Sequence, residues 1–490
     1  KSILRKNTLD QTNLWKFSIS GDLPIILIEI DAIENALILK DVLQAYEFYK
    51  SRGVYVDIVI INNEKESNEE LLKKYISDLV NKIYYFNYFE NSSGNVHTLS
   101  SSELSEEEKT LLYTIARISI NTSSGKSLEK QMQELETDLF SCADDCKYTA
   151  LLTKDIKHPK NLMFYNEFGG FIDNGNEYYI TNINTPMPWI NVIANPDFGF
   201  IISGWMSGFT YAYNSQAYKI SSWSNDMVGD PPSELILINK QRFIPTAARH
   251  GFGYSLFMAN SYAFNIQIKV FASLQDKIKY YLINIENIIP SDQNIQLSLI
   301  TKLVLGVTEE KTNRHLLSNW SEEDNCLYFT NVYNHSFKNT HVYLSSTEKL
   351  ICYNDSNPNQ KCIETHVYIQ EGETKQMAFI IGVKDINTPI THIQLSTVEK
   401  EFHKVTNFWK EKLSAIKVNT PDTSFNYVMN NWYLYQTYAA RLFARAGFYQ
   451  VGGAYGFRDQ LQDTMSIMYS DALIARNQII KHASHQFLEG

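Results

Sequence analysis

The feature that most limits how this chain can fold is a change of period along it. From about residue 162 to residue 400 the apolar residues come in short alternating runs, among them Glu234–Ile238, Ala263–Ser273, Lys277–Glu286, Gln296–Leu305 and Gln376–Val383. Alternation at period two turns one face of each run to a core. Many strands at regular spacing, with no helices between them, imply a large antiparallel β-sandwich. About 240 residues suit a double sheet.

On either side the period is helical. Pro24–Ile30 and Val54–Ile61 are strand-like runs, and between them Ile33–Arg52 has helical spacing that closes at Gly53. Strand, helix, strand in that order implies a parallel pair with a right-handed crossover. Ser67 with Glu70, and Ser105 with Glu108, are capping boxes that open two further helices, and Ser127–Phe140 reads as another. Past Thr397, Ser424–Ala446 reads as a long helix ended by Gly447, Asp463 begins a second and Asp471–Phe487 forms a third. The expected fold class is α+β and multidomain, with a small α/β region at 1–155 and the sandwich at 156–400.

Composition bounds the partners. At 490 residues the chain exceeds one ordinary core, and a net charge of −10 opposes a nucleic-acid partner. Five cysteines form no disulfide framework and suit a reducing, cytoplasmic compartment. Cys142 and Cys146 lie four apart with no His or second Cys pair beside them, so no metal is expected. The 31 Tyr, 26 Phe and 7 Trp suit stacking on pyranose rings, although a large β-domain is rich in such residues anyway. The chain starts without Met and stops three residues after a helical run, which reads as a piece of a longer polypeptide.

The sharpest local feature is the glycine-rich loop Gly452-Gly-Ala-Tyr455-Gly-Phe-Arg458-Asp459-Gln460-Leu-Gln-Asp463. Glycines let backbone approach a ligand, and the polar side chains that follow can pair with neighbouring sugar hydroxyls. The same residues also suit a buried Arg458–Asp pair stapling loop to helix, and both readings stand on the residues alone. A second dense stretch runs over 48 residues from Thr185 to Pro232 and includes Trp189, Trp223, Asn225 and Asp226. As plain structure it would be a set of Pro and Asn turns. A third is Arg249-His-Gly-Phe-Gly-Tyr254.

In order, Thr185-Pro-Met-Pro-Trp-Ile-Asn-Val-Ile-Ala-Asn-Pro-Asp-Phe-Gly-Phe200, Asn214-Ser215, Trp223-Ser-Asn-Asp226, Asp230-Pro-Pro232, Arg249-His-Gly and the loop through Asp463 resemble glycoside hydrolase family 94. That family was formerly glycosyltransferase family 36, and the nearest flavour is cyclic β-1,2-glucan synthases and 1,2-β-oligoglucan phosphorylases. The resemblance implies a helical linker at 401–445 and the first part of an (α/α)6 catalytic barrel at 446–490. It implies reversible, inverting phosphorolysis, with no cofactor and inorganic phosphate as co-substrate.

Carried over residue by residue, Arg458 and Asp463, then Asp459, Tyr455 and Gln460, contact the glucosyl unit, with Trp189, Trp223, Asn225 and Asp226 as loop contacts. The family's general-acid motif and phosphate-holding elements are not found in this sequence, so no catalytic residue is assigned and the isolated chain is expected to be inactive. The partners implied are a β-glucan oligosaccharide and the rest of the parent polypeptide, with room for a homodimer. That parent is cytoplasmic, with attachment to the inner membrane open. Ser203-Gly-Trp-Met206, Gln216-Ala-Tyr218 and Met227 depart from the family pattern and put the sandwich's share of the site in doubt. Two rivals stay open: a glucan-binding or length-controlling module without phosphorolysis, and a hydrolase using Asp459 as base.

Overall fold

The computed structural model describes residues 3–64, 69–86, 94–139, 148–354, 360–389, 392–448, 450–453 and 456–489. The chain divides into two compact units, one of Lys1–Asp145 with Asn331–Lys338, the other of Cys146–Thr330 with Asn339–Gly490.

The first unit is built on four parallel strands, β1 (Ile25–Ile30), β2 (Asp57–Asn62), β3 (Val96–Ser100) and β4 (Ala116–Asn121), in spatial order β3-β2-β1-β4. Helices α1 (Ala36–Ser51), α2 (Glu69–Phe86) and α3 (Glu106–Ile115) make the crossovers, and α4 (Leu128–Leu139) follows. β1 and β2 are buried along nearly their whole length, which explains their unbroken apolar runs. The Ser105–Glu108 capping box is present with both of its bonds, 3.2 Å from the Glu108 amide to Ser105 Oγ and 2.9 Å from the Ser105 amide to Glu108 Oε2. Ser67, Cys142 and Cys146 lie outside the described residues.

In the second unit an 11-stranded antiparallel sheet and two five-stranded sheets form the sandwich. Its long central strands, Phe264–Ala272, Ile278–Asn287 and Thr374–Asp385, pair over eight or more residues each. The α+β class expected from the sequence is the class observed. At the sandwich centre Glu234 and Lys279 are buried together, with Lys279 Nζ 2.6 Å from Glu234 Oε2. Thr210 and Ser221 donate to Glu234 Oε1 at 2.6 and 2.5 Å, and Tyr281 donates to Oε2. Burial pushes the Glu234 carboxyl up, but the Lys279 ammonium and the Ser221 and Thr210 hydroxyls outweigh it and leave it below the usual range.

Helix α5 (Leu395–Lys412) leaves the sandwich and buries Val398, Val405 and Trp409 in the same core as Phe271, Tyr280 and Ile380. A long helix, α6, spans 423–444 and contains two π-helical stretches, Val428–Trp432 and Thr437–Ala444. The Tyr435 hydroxyl accepts from the Gly253 amide at 3.1 Å and lies 2.9 Å from the Val192 carbonyl, tying α6 to the sandwich. Helices α7 (Phe457–Ile467) and α8 (Ala472–Ala483) complete the unit.

Three expectations are corrected. Helix α6 ends at Arg445 in the left-handed region (φ 50°), two residues before Gly447. Asp463 lies in the middle of α7, because that helix starts at Phe457 behind Gly456, an N-cap residue with no side chain to announce it. Gln296–Leu305 is not one strand: Gln293–Thr301 and Leu303–Gly306 belong to different sheets, and Leu305 has φ 49°.

Candidate functional site

The glycine-rich loop is held from both sides. Past Arg445 the chain turns back, with Ala446 bridged to Val451 and the Gly453 amide donating to the Arg445 carbonyl at 3.2 Å. From the sandwich, Asn214 Nδ2 donates to the Gly453 carbonyl at 2.7 Å, while Asn214 Oδ1 accepts from the Gln216 and Ala217 amides at 2.9 Å each. Gly453 has φ +55°, and a Cβ there would sit 2.2 Å from Asn214 Oδ1. Only glycine satisfies both the conformation and the approach.

Trp223 reinforces the same junction. Its ring lies 5.0 Å from Phe209 in the sandwich and edge-on to Phe448 in the loop at 5.1 Å. Beside it opens a cleft of about 550 Å³, lined by Trp223, Asn225, Val451, Lys219, Glu309 and Glu310, among others. Lys219 Nζ donates to the Gln216 and Val307 carbonyls at 3.1 Å each, and burial pushes its pKa down. Asp226 does not line this cleft; its Oδ1 accepts from the Val228 and Gly229 amides and shapes a turn.

The polar cluster after the loop sits on α7. Arg458 and Asp459 occupy its first turn, paired at 3.0 Å, with side chains 84% and 53% exposed. Asp463, one turn beyond Asp459 on the same face, accepts from Arg441 Nε of α6 at 2.9 Å. The staple reading, a buried Arg458–Asp pair tying loop to helix, is corrected: Arg458 pairs with Asp459 at an exposed position within α7, and the pair that joins the two helices is Arg441–Asp463. Gln460 is buried, and Tyr455 lies outside the described residues. His482 Nε2 lies 3.4 Å from the Gly456 carbonyl and backs the start of α7.

The structure thus brings Trp223 and Asn225 to the loop that precedes Arg458, Asp459 and Asp463. Trp189 is elsewhere, in a separate cleft with Trp432 and His250. Sequence reasoning missed Lys219, Arg441 and the role of Asn214. Only Asn214 carried a signal, as a member of the Asn-Ser motif, and its partner is 239 residues away.

The model for the glycosyl hydrolase 94 supersandwich domain matches residues 176–356, and that for the glycosyl hydrolase 94 superfamily catalytic domain matches residues 408–490. The chain belongs to glycoside hydrolase family 94. In the terms of family 94, the Asn214–Gly453 bond joins the supersandwich to the catalytic domain.

Among relatives, the cyclic β-(1,2)-glucan synthase NdvB of Rhizobium meliloti (strain 1021) is 26% identical over 98% of this chain and 19% of its own length. The N,N'-diacetylchitobiose phosphorylase of Vibrio furnissii is 22% identical over 64% of this chain and 46% of its own. The chain thus spans less than half the length of either relative. A solved structure, a putative kojibiose phosphorylase from human microbiome, aligns at 11% identity and a TM-score of 0.42 over 66% of this chain and 50% of that one, too loose a match to carry weight. Among the described residues no helix is long and apolar enough to cross a membrane, and no cluster of three or more His, Cys, Asp or Glu is placed to hold a metal.

Proposed function

We propose that the chain holds a terminal glucosyl unit of a β-glucan, as the sandwich and first barrel helices of an inverting phosphorylase of the cyclic β-1,2-glucan synthase type. The observation that carries this reading is the Asn214–Gly453 hydrogen bond, which docks the sandwich onto the loop leading into the polar turn of α7. Arg458 donates to one pair of ring hydroxyls, and Asp459 and Asp463 accept from others. Their pairing with each other and with Arg441 keeps the unliganded charges compensated until the sugar arrives.

In an inverting phosphorylase, phosphate takes the place of the attacking water, so no carboxylate base is needed on this chain. A separate carboxylic acid must protonate the departing oxygen, and none of the residues of the site above is offered for that step. The expected behaviour is binding without turnover. Calorimetric titration with linear β-1,2-glucooligosaccharides should show saturable binding, and incubation with phosphate should release no glucose 1-phosphate. Release of glucose 1-phosphate, or no binding at all, would overturn the reading.

A further inference from the structure

The first half of α6 borders a second ring-lined hollow, in which Trp189 sits. We propose that this cleft, between Trp189 and Tyr178 of the sandwich and Trp432 and Tyr433 of α6, is a second carbohydrate site taking one neutral pyranose unit of a glucan. The proposal rests on the reading that the chain binds β-glucan. Trp432 lies 13 residues before Arg445, about 20 Å along the helix at roughly 1.5 Å per residue, so the cleft is distinct from the loop.

The cleft holds about 370 Å³, at the small end of the roughly 300–1,000 Å³ of ligand pockets. Its rings meet edge to face, Trp189 and Tyr178 at 5.7 Å, Phe171 and Tyr178 at 5.0 Å, and Phe171 and Trp432 at 6.0 Å. The Trp432 indole is fixed by a 2.8 Å bond from Nε1 to the Gly175 carbonyl. Rings held this way offer apolar faces to the C–H face of a sugar with little rotamer entropy left to lose.

The polar rim is available as well. Asn166 Oδ1 is occupied by the Tyr178 hydroxyl and the Gly169 amide, at 3.1 Å each. Among the described residues, the Asn166 amide nitrogen, the Gln436 side-chain amide, the Tyr433 hydroxyl and the Trp189 indole N–H have no protein partner. Hydroxyls, being donors and acceptors at once, can pair with all four. No carboxylate, ammonium or guanidinium lines the cleft, and burial of His250 pushes its pKa down to about 4, so that ring is neutral at pH 7. A phosphate or nucleotide would find no counter-charge here, whereas a neutral sugar needs none.

The test titrates the whole chain with β-1,2-linked glucohexaose, followed by calorimetry and tryptophan fluorescence. Tyr433 and Gln436 are exposed, so the double variant Tyr433→Ala/Gln436→Ala should keep the parent's circular dichroism and melting temperature. Its affinity should fall about ten-fold or more, or one of two binding events should vanish. The fluorescence response should survive in Arg458→Ala and weaken in Trp189→Phe. Parent-like binding by the cleft variants overturns this inference, and if the loss is confined to Arg458→Ala the reading of the loop still stands. Absence of binding by the parent overturns both. An apolar peptide that occupies the cleft and is not displaced by glucohexaose overturns this inference alone.

Discussion

Two clusters of opposite charges in the second unit have similar ingredients and opposite settings. Glu234 and Lys279 are 4% and 2% exposed in the middle of the sandwich, with Thr210, Ser221 and Tyr281 filling the carboxylate's remaining bonding positions. Arg458, Asp459 and Asp463 lie at the surface of α7, each with only part of its hydrogen-bonding capacity used. Saturation and burial leave the first cluster nothing to offer a ligand, and it fixes how the strands pack. On the proposed reading, exposure lets the second exchange a weak protein pair for sugar hydroxyls, and unspent bonding capacity rather than charge density marks the site.

The largest expected effect lies on the buried side. Glu234→Ala or Lys279→Ala strands one charge in the sandwich core and should cost about 3–5 kcal/mol of stability, read as a large drop in the denaturant midpoint. A loss below about 1 kcal/mol would erase the contrast with the surface cluster.

The pH dependence should follow burial in the same way. Neutral His250 donates from Nε2 to the Trp189 carbonyl (3.2 Å) and accepts at Nδ1 from Ser255 Oγ (2.8 Å), and its folded pKa of about 4 lies below the ordinary value of 6.5. The unfolded chain therefore binds this proton first. The contribution of His250 is fully present above pH 6.5 and is lost as pH falls through 4, a change of up to about 3 kcal/mol. His250→Gln should flatten the melting temperature between those limits, and an unchanged slope would place the titrating group elsewhere.

On the surface the balance between stability and binding reverses. Asp463→Ala removes the pair with Arg441 and should cost under about 1 kcal/mol of stability, while glucan affinity falls about ten-fold or more. Arg458→Ala, at a side chain 84% exposed, should leave stability within about 0.5 kcal/mol and still weaken glucan binding. Surface variants that unfold the chain, or bind glucan unchanged, would break the comparison.

How much of this was legible in the sequence depends on the range over which the information lies. Period and capping are local, so two of the four parallel strands of the first unit, β1 and β2, the sandwich and the Ser105–Glu108 box could be read directly. Helix ends were less legible. The left-handed residue that closes α6 is Arg445, where glycine at 447 was the stronger signal, and α7 begins at Phe457 behind Gly456, with no capping side chain. The strand change at Leu303 was hidden because the end of one strand and the start of the next are buried alike.

For the site, the motif order pointed to the loop and to Trp223 and Asn225, which the fold does bring near each other. It could not reveal that Asn214 reaches Gly453, that Arg441 holds Asp463, or that Trp189 faces a different cleft. Those facts depend on contacts between residues far apart in the chain, for which local pattern carries no term.

The most direct test of the central claim is a crystal structure of the chain with a short linear β-1,2-glucooligosaccharide. The account predicts a terminal glucosyl unit beside the 451–463 segment, with its hydroxyls within hydrogen-bond reach of Arg458 and Asp463. A glucan bound only elsewhere, with the Arg458–Asp459 and Arg441–Asp463 pairs as they stand here, would contradict it.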